Sequence, residues 1–379
     1  MNATADIERF LLDTERFARE LLAPRVIAWE RERRIGRELF DEAHRIGLTR
    51  VELPVQWGGL GLPFSAKVQM SERLAAVDFG FTMSIINTAN VANKLAREAA
   101  PELARRYVEE IICGRRFGST ALTEPGAGSD FSAISTSATR IDGGWRISGA
   151  KAWISNAAIS DVFVMYAQTE PGSGARGIAG FLIDGQREGF VREPAFAMAG
   201  QHTLGTGGFR LDAYLARDDE MLLPPGKAFK AALTSINGAR TYIAAMSCGM
   251  VGEALQIAAD YGETRHTFGA ALADHQGWRW RLAEAASELA ACRMMVERAA
   301  ALLDAGEDAM LLAAQAKLLS TRMADRQLPL LMQAMGAEGL REQHPFGRHL
   351  IGARLANFVD GSTEMLLERI ATVMRSRKN

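Results

Sequence analysis

Two changes in hydrophobic period divide this chain, and they limit what it can fold into more than any single motif does. From Asp6 to about Gly118 the spacing is helical. Ile7, Phe10, Leu11, Phe17, Leu21 and Leu22 recur at intervals of three, four and seven, as one buried stripe of a helix requires. Pro54 and the glycines of Trp57-Gly58-Gly59-Leu60-Gly61 interrupt this stretch as a loop, and the helical texture then resumes. From about Ser119 to Pro225 the texture is strand-like. Asp142-Gly143-Gly144, flanked by Ile141 and by Trp145 and Ile147, is a hairpin signal. Residues 162–166 and 178–183 read as further strands, and Gly205 to Gly208 leads into another through Phe209, Leu211 and Tyr214. Pro224 and Pro225 close this section. From about Ala228 to Arg375 long helices return, with Leu282, Ala285, Leu289, Cys292, Val296, Ala299 and Leu303 on one stripe. Such helices pack on one another as a bundle or against a second subunit. The expected fold is mainly α with a central β domain (α+β). It has a helical domain over residues 1–118, a β-barrel-like domain over 119–225 and a helical bundle over 226–379.

Composition narrows the function. The 379 residues are enough for two or three packed domains. A formal net charge of −1 gives none of the broad positive field that nucleic-acid binding needs, so no nucleic acid is expected. The basic end Arg375, Arg377, Lys378 reads as a solvated tail. Cys113, Cys248 and Cys292 lie far apart and match neither a disulfide framework nor a zinc pattern. The start lacks the basic end and apolar run of a secretion signal, and no stretch approaches a membrane helix, which predicts a cytoplasmic protein with no membrane contact. Gly126-Ala127-Gly128 and Gly205-Thr206-Gly207-Gly208 look like dinucleotide loops, but neither completes the G-x-G-x-x-G pattern in a βαβ setting. The six histidines show no metal-ligand spacing, His344 with His349 included, so no metal is expected.

Four segments remain as candidates for chemistry. Thr120-Ala-Leu122-Thr123-Glu-Pro-Gly-Ala-Gly-Ser129 sits where helix gives way to sheet, and its small residues let backbone amides approach a flat ligand closely. Taken alone it reads equally as a plain turn. Gly149 to Asn156 places Trp153 two residues before Ser155, one face of a strand if the alternation is regular; that suits a ring platform beside one hydrogen bond, or a core tryptophan with an exposed serine. Arg265-His266-Thr267-Phe268-Gly269, followed by His275 and Gln276, reads by itself as a polar helix end. The last runs from Gln333 and Gly336 to Phe358-Val359-Asp360-Gly361-Ser362-Thr363-Glu364. There Gly361 and Ser362 open a helix, and Asp360 stands before it as a cap or as a functional carboxylate.

In this order and over this architecture, the four segments resemble the acyl-CoA dehydrogenase family across essentially the whole chain. The resemblance implies three domains (helical, β, four-helix), FAD as cofactor and a homotetramer or dimer. It also implies an acyl-CoA substrate and an electron-transferring flavoprotein as electron acceptor. By resemblance, Thr120, Leu122, Thr123, Ser129, Trp153, Ile154 and Ser155 surround the FAD ring, while Arg265, Thr267 and Phe268 reach the FAD of a neighbouring subunit. His275, Gln276, Gln333, Gly336, Ala337, Ser362 and Glu364 match further FAD contacts. Ser129, Asn237, Arg240 and Gly361 match positions that touch or order the acyl-CoA. Asp360 aligns with the base that takes the α-proton while hydride leaves the β-carbon for flavin N5.

Departures from the pattern sharpen the reading. The family's usual glutamate is Asp360 here, and the alternative base position, before the arginine, is Ala239. Aspartate is shorter by one C–C bond, about 1.5 Å. Val359, Ala337 and Leu340 replace an aromatic, a glycine and an aromatic, and so reshape the acyl pocket. A branched or alicyclic acyl group such as cyclohexanecarboxyl is expected to suit the short base. Two rival readings stand beside this one. The first is a nitroalkane-oxidase type of enzyme, whose arginine seven residues after the base is Leu367 here. The second is a non-catalytic homologue that only binds acyl thioesters.

Overall fold

The computed structural model describes residues 3–34 and 36–376; Arg377 and Lys378 of the basic end lie outside the described residues. Helix–sheet–helix order is as expected. The first section holds α1 (Ala3–Arg16), α2 (Ala23–Glu32), α3 (Phe40–Arg45), α4 (Phe64–Ala75), α5 (Phe79–Glu98) and α6 (Pro101–Ile112). The stripe that begins at Phe10 passes through a π-helical turn, Phe17–Leu22, that joins α1 to α2. Helix α5 runs through the middle of the molecule and is buried on most of its circumference. Its start is fixed by Asp78, whose Oδ1 accepts from the Phe81 amide at 2.7 Å and from Thr203 Oγ1 at 2.6 Å.

The sheet comprises β1 (Gly118–Ala121), β2 (Ser137–Ile141), β3 (Gly144–Ile154), β4 (Val162–Gln168), β5 (Ile178–Asp184), β6 (Phe190–Arg192), β7 (Gly207–Arg217) and β8 (Met221–Leu223). Their order is β6-β7-β3-β2-β4-β5-β8, with β1 parallel to β4. Asp142 and Gly143 form the two-residue turn between β2 and β3, and Gly143 takes φ +72°, a conformation glycine adopts without penalty. Every residue of β4 and β5 is buried, because both faces are covered. Val162, Val164 and Tyr166 face the helices, whereas Phe163 and Met165 point into the curl of the sheet. There Phe163 packs against Phe209 at 4.7 Å between ring centroids, although their strands are not neighbours. The sheet therefore curls around its own core, with β6 and β8 at the two ends of the strand order.

The last section holds α7 (Ala228–Thr264), a short hairpin of β9 (His266–Thr267) and β10 (Ala270–Ala271), then α8 (Gln276–Asp304), α9 (Met310–Ala334), α10 (Phe346–Phe358) and α11 (Thr363–Ser376). Among the described residues α7 is long and apolar enough to cross a membrane, which the sequence reading did not anticipate. Most of its apolar stretch is buried against α4, α8 and α9. Cys248 and Cys292 are buried free thiols and Cys113 is a half-buried one. His349 is buried and bonded to the Ala76 carbonyl, while His344 faces Glu338, so the two do not act as a pair. No metal-binding cluster occurs among the described residues.

Candidate active site

The connection between α10 and α11 carries Asp360. It does not cap α11: Asp360 takes the left-handed φ of +53° and Gly361 +102°, so the chain turns sharply after α10. Helix α11 opens at Thr363, one residue later than the sequence suggested, and Ser362 is the capping residue, its Oγ 3.5 Å from the Met365 amide. Three long-range contacts hold the turn. Lys317, a buried lysine of α9, donates to the carbonyls of Val359 and Gly361, the latter at 2.6 Å. Arg240 Nε of α7 donates to the Asp360 carbonyl at 3.3 Å, and Arg240 Nη1 to Asn237 Oδ1 at 3.2 Å. The main chain on both sides of the carboxylate is thus pinned by buried cations.

Burial raises the Asp360 pKa, against the opposing pull of Lys317 and Arg240. The same burial brings the Lys317 ammonium down to about 7, although Asp360 favours its charge. Asp360 nonetheless keeps part of its surface accessible. A carboxylate with a raised pKa and a fixed backbone is suited to accept a proton near neutral pH. Lys317 was not singled out from sequence. Its signal was available, since a lone lysine within Ala313-Ala314-Gln315-Ala316-Lys317-Leu318 lies among buried apolar positions.

The Thr120–Ser129 and Trp153–Ser155 segments lie side by side. The Ala152 amide donates to the Thr123 carbonyl at 3.1 Å, and Ser119 Oγ donates to the Ser155 carbonyl at 2.5 Å. The strand geometry expected for Trp153 and Ser155 is not observed. The β3–β7 register shifts between Lys151 and Ile154, Trp153 adopts φ +59°, and Ser155 lies beyond the strand end. This irregularity turns the Trp153 ring outward, 59% exposed, with Phe196 at 4.8 Å between centroids. Ile154 has its side chain in the sheet core and offers only its main chain.

A buried ion pair supports this platform. Lys151 Nζ reaches Glu124 Oε1 at 2.8 Å and the Leu122 carbonyl at 3.0 Å, and Glu124 also accepts from Ser135 and Thr136. Burial alone would raise the Glu124 carboxyl, but Lys151 and these donors outweigh it and bring it to about 2. A carboxyl depressed below its ordinary value of about 4.3 stabilises the fold above that pH and ceases to do so as pH falls toward 2. Glu124→Gln strands a buried ammonium, and it should cost about 3–5 kcal/mol of stability. Thermal unfolding at neutral pH measures the loss, and the deficit should narrow on acidification toward pH 2.

The remaining positions lie at the other end of the bundle. Arg265 is the C-terminal cap of α7, so the segment does begin as a helix end, but His266 and Thr267 go on into the β9–β10 hairpin, with Phe268 in its turn at φ +50° and fully exposed. His275 Nε2 lies 3.0 Å from the Thr267 carbonyl and steadies the hairpin. Trp278 Nε1 donates to the Ala334 carbonyl at 3.0 Å, which brings Gln276 beside Gln333, Gly336 and Ala337, all of them exposed. No hydrogen bond among the described residues joins this group to Thr120–Ser129. Within one chain the candidate positions therefore do not form one continuous group: Thr120–Ser129 with Trp153–Ser155 makes one patch and the hairpin with Gln276 and Gln333–Ala337 another, and among the described residues no hydrogen bond joins the turn at Asp360 to either.

This succession of a helical layer, a curled sheet and a helical bundle matches known proteins along its length. The acyl-CoA dehydrogenase N-terminal domain model covers residues 4–115, the middle domain 119–214 and the C-terminal domain 226–375. The chain belongs to the acyl-CoA dehydrogenase family, whose members are flavin-dependent oxidoreductases. It is 28% identical over 374 residues to the short-chain specific acyl-CoA dehydrogenase of Megasphaera elsdenii, covering 97% of each chain. The solved structure of butyryl-CoA dehydrogenase from Megasphaera elsdenii superposes with TM-score 0.94 at 27% identity, over 99% of both chains. A chain from the structure of the electron transferring flavoprotein of Acidaminococcus fermentans gives TM-score 0.94 at 26% identity, over 97% of both. Family membership supports acyl-CoA dehydrogenation as the general activity.

Proposed function

We propose that this protein is an FAD-dependent acyl-CoA dehydrogenase that forms an α,β-double bond in an acyl thioester, with Asp360 as the α-proton acceptor. The observation that carries the reading is the fixed turn at Asp360: a partly accessible carboxylate of raised pKa, with its flanking carbonyls held by Lys317. FAD, when bound, takes the hydride from the β-carbon. The exposed Trp153 ring and the polar groups of Thr120, Thr123 and Ser155 fit a flat, hydrogen-bonding ring, and Leu122, Ser129, Ser362 and Glu364 complete the set that would hold it. The Lys317 contacts leave the Asp360 amide without a protein acceptor among the described hydrogen bonds, so it is available to a thioester oxygen that gains charge as the α-proton leaves. Arg240, itself bonded to Asn237, orders that turn from α7, and Gly361 lies within the turn.

A homotetramer or dimer belongs to the same reading. Phe268, Trp280 and Leu340 are exposed large apolar residues on and near the patch of the hairpin, where Arg265, Thr267, Gln276, Gln333, Gly336 and Ala337 also lie. A second copy docked there would reunite the two patches across its interface. Phe268→Ala is expected to weaken assembly and FAD retention together, and sedimentation with the flavin-to-protein absorbance ratio measures both. An electron-transferring flavoprotein as acceptor, and a soluble cytoplasmic setting with α7 inside the fold, complete the proposal.

The substrate follows from the short base. Asp360 falls about 1.5 Å short of a glutamate's reach, so the acyl group must sit nearer the turn than it would against a glutamate, and we assign a branched or alicyclic group to that shifted position. Anaerobic bleaching of the bound flavin by cyclohexanecarboxyl-CoA or a branched acyl-CoA should outpace that by straight-chain butyryl-CoA. Fastest bleaching by the straight chain would remove the branched or alicyclic assignment.

A further inference from the structure

Beside Asp360 lies a buried polar cluster that neither the base nor the flavin positions require. Lys67 of α4 is almost fully buried and donates to Glu52 Oε2 and to Asn90 Oδ1 of α5, each at 2.6 Å. An ammonium only donates, so the Asn90 carbonyl must face it and the Asn90 amide must face away. That amide meets Tyr242 Oη at 3.3 Å. Tyr242 must then accept, which turns its own proton elsewhere, and no protein acceptor for it exists among the described residues. Tyr242 is two residues from Arg240 on α7 and close enough to Asp360 to feel its charge.

One helical turn before Asn90, Asn87 shares its face of α5. Its Nδ2 is buried and makes no hydrogen bond. Asn87 and Asn90 are the partly open positions in a stretch of α5 that is otherwise buried from Phe79 to Ala92, so this face borders a space. The two unsatisfied groups, Asn87 Nδ2–H and Tyr242 Oη–H, are both donors. Burying a donor against hydrocarbon is costly, whereas an oxygen acceptor satisfies it. Charge decides which oxygen. Lys67 is offset by Glu52, and Arg240 and Lys317 are committed to the turn at Asp360, so no unpaired cation among the described residues faces the two donors and a neutral oxygen is favoured over a carboxylate.

We infer that the acyl end of the site selects a chain carrying a neutral oxygen acceptor, of the ketone type, bound between Asn87 Nδ2 and Tyr242 Oη. This deepens the dehydrogenase reading and rests on it for the placement of the thioester at Asp360. It also adds an oxygen to the branched or alicyclic skeleton proposed above.

The test uses FAD-loaded protein and thioether analogues of CoA, which lack an acidic α-proton and are not consumed. Calorimetric titration compares pentyl-CoA with its 4-oxopentyl counterpart, and cyclohexylmethyl-CoA with its 4-oxo counterpart. In the wild type, at least one oxo analogue should bind about tenfold or more tightly than its hydrocarbon twin. That advantage should fall by most of its size in Asn87→Leu and in Tyr242→Phe, the latter removing only the hydroxyl. Equal or tighter binding of the hydrocarbons by the wild type overturns the inference, as does an oxo advantage that survives in both variants. Flavin bleaching by the matching thioesters, run separately, reports on the dehydrogenase reading. An oxo preference without any bleaching would leave this inference standing and sink that reading.

Discussion

Asp360→Ala should retain FAD and bind acyl-CoA, yet reduce the flavin slower than wild type by on the order of a hundred- to ten-thousand-fold, the range a positioned general base contributes. The expectation follows from geometry as much as from the residue type. The turn at Asp360 is held through main-chain carbonyls, by Lys317 at positions 359 and 361 and by Arg240 at 360 itself. Truncating the side chain leaves these contacts in place, so the loss should fall on the chemical step rather than on folding. Single-turnover mixing under anaerobic conditions separates the two, because binding appears as a spectral shift before bleaching. The pH profile gives a second check. Burial raises the Asp360 pKa, and only the ionised form accepts a proton. The wild-type rate should therefore rise with pH through a value above the ordinary carboxylate range of about 4, and Asp360→Ala should lack that limb.

Lys317→Met is expected to lower the rate by about a hundredfold while sparing flavin content. Lys317 acts through the turn it holds and touches neither substrate nor flavin in this account. Its removal frees the carbonyls on both sides of Asp360, and a displacement of about 1 Å at a reacting group is worth on the order of 10²-fold. It also withdraws the cation that opposes the rise in the Asp360 pKa, so the acid limb should move to higher pH. On the alkaline side, the Lys317 ammonium titrates near 7 because it is buried. Above that pH the neutral amine attracts the carboxylate less, so the Asp360 pKa of the wild type should move toward its value in Lys317→Met. Lys317→Arg, which keeps a charge, should restore part of the rate. An unshifted acid limb in Lys317→Met would show that the lysine serves the fold alone.

Local patterns made the architecture legible. The switch from helical to strand spacing marked the sheet, and Asp142-Gly143 marked its first hairpin because that turn needs glycine's left-handed conformation. The stripe from Leu282 to Leu303 marked α8. What stayed hidden was non-local or broke a local rule. Trp153 sits at a register shift, so counting two residues to Ser155 gave the wrong relation between their side chains. The β9–β10 hairpin has strands of two residues, too short for alternation to register. Lys317 meets the turn 42 and 44 positions away, and Asn90 meets Tyr242 across 152. No spacing rule links such residues, and only the packing of α4, α5, α7 and α9 brings them together. Asp360 was identified from sequence by resemblance, and its unusual conformation and buried cationic supports were not.

Anaerobic mixing of FAD-loaded wild-type protein with linear, branched and cyclic acyl-CoAs, each also prepared with deuterium at the α-carbon, bears most directly on the central claim. The account predicts that at least one thioester bleaches the flavin within a single turnover, that α-deuteration slows the bleaching, and that Asp360→Ala removes it. Absence of bleaching with every thioester, or bleaching that persists at full rate in Asp360→Ala, would contradict it.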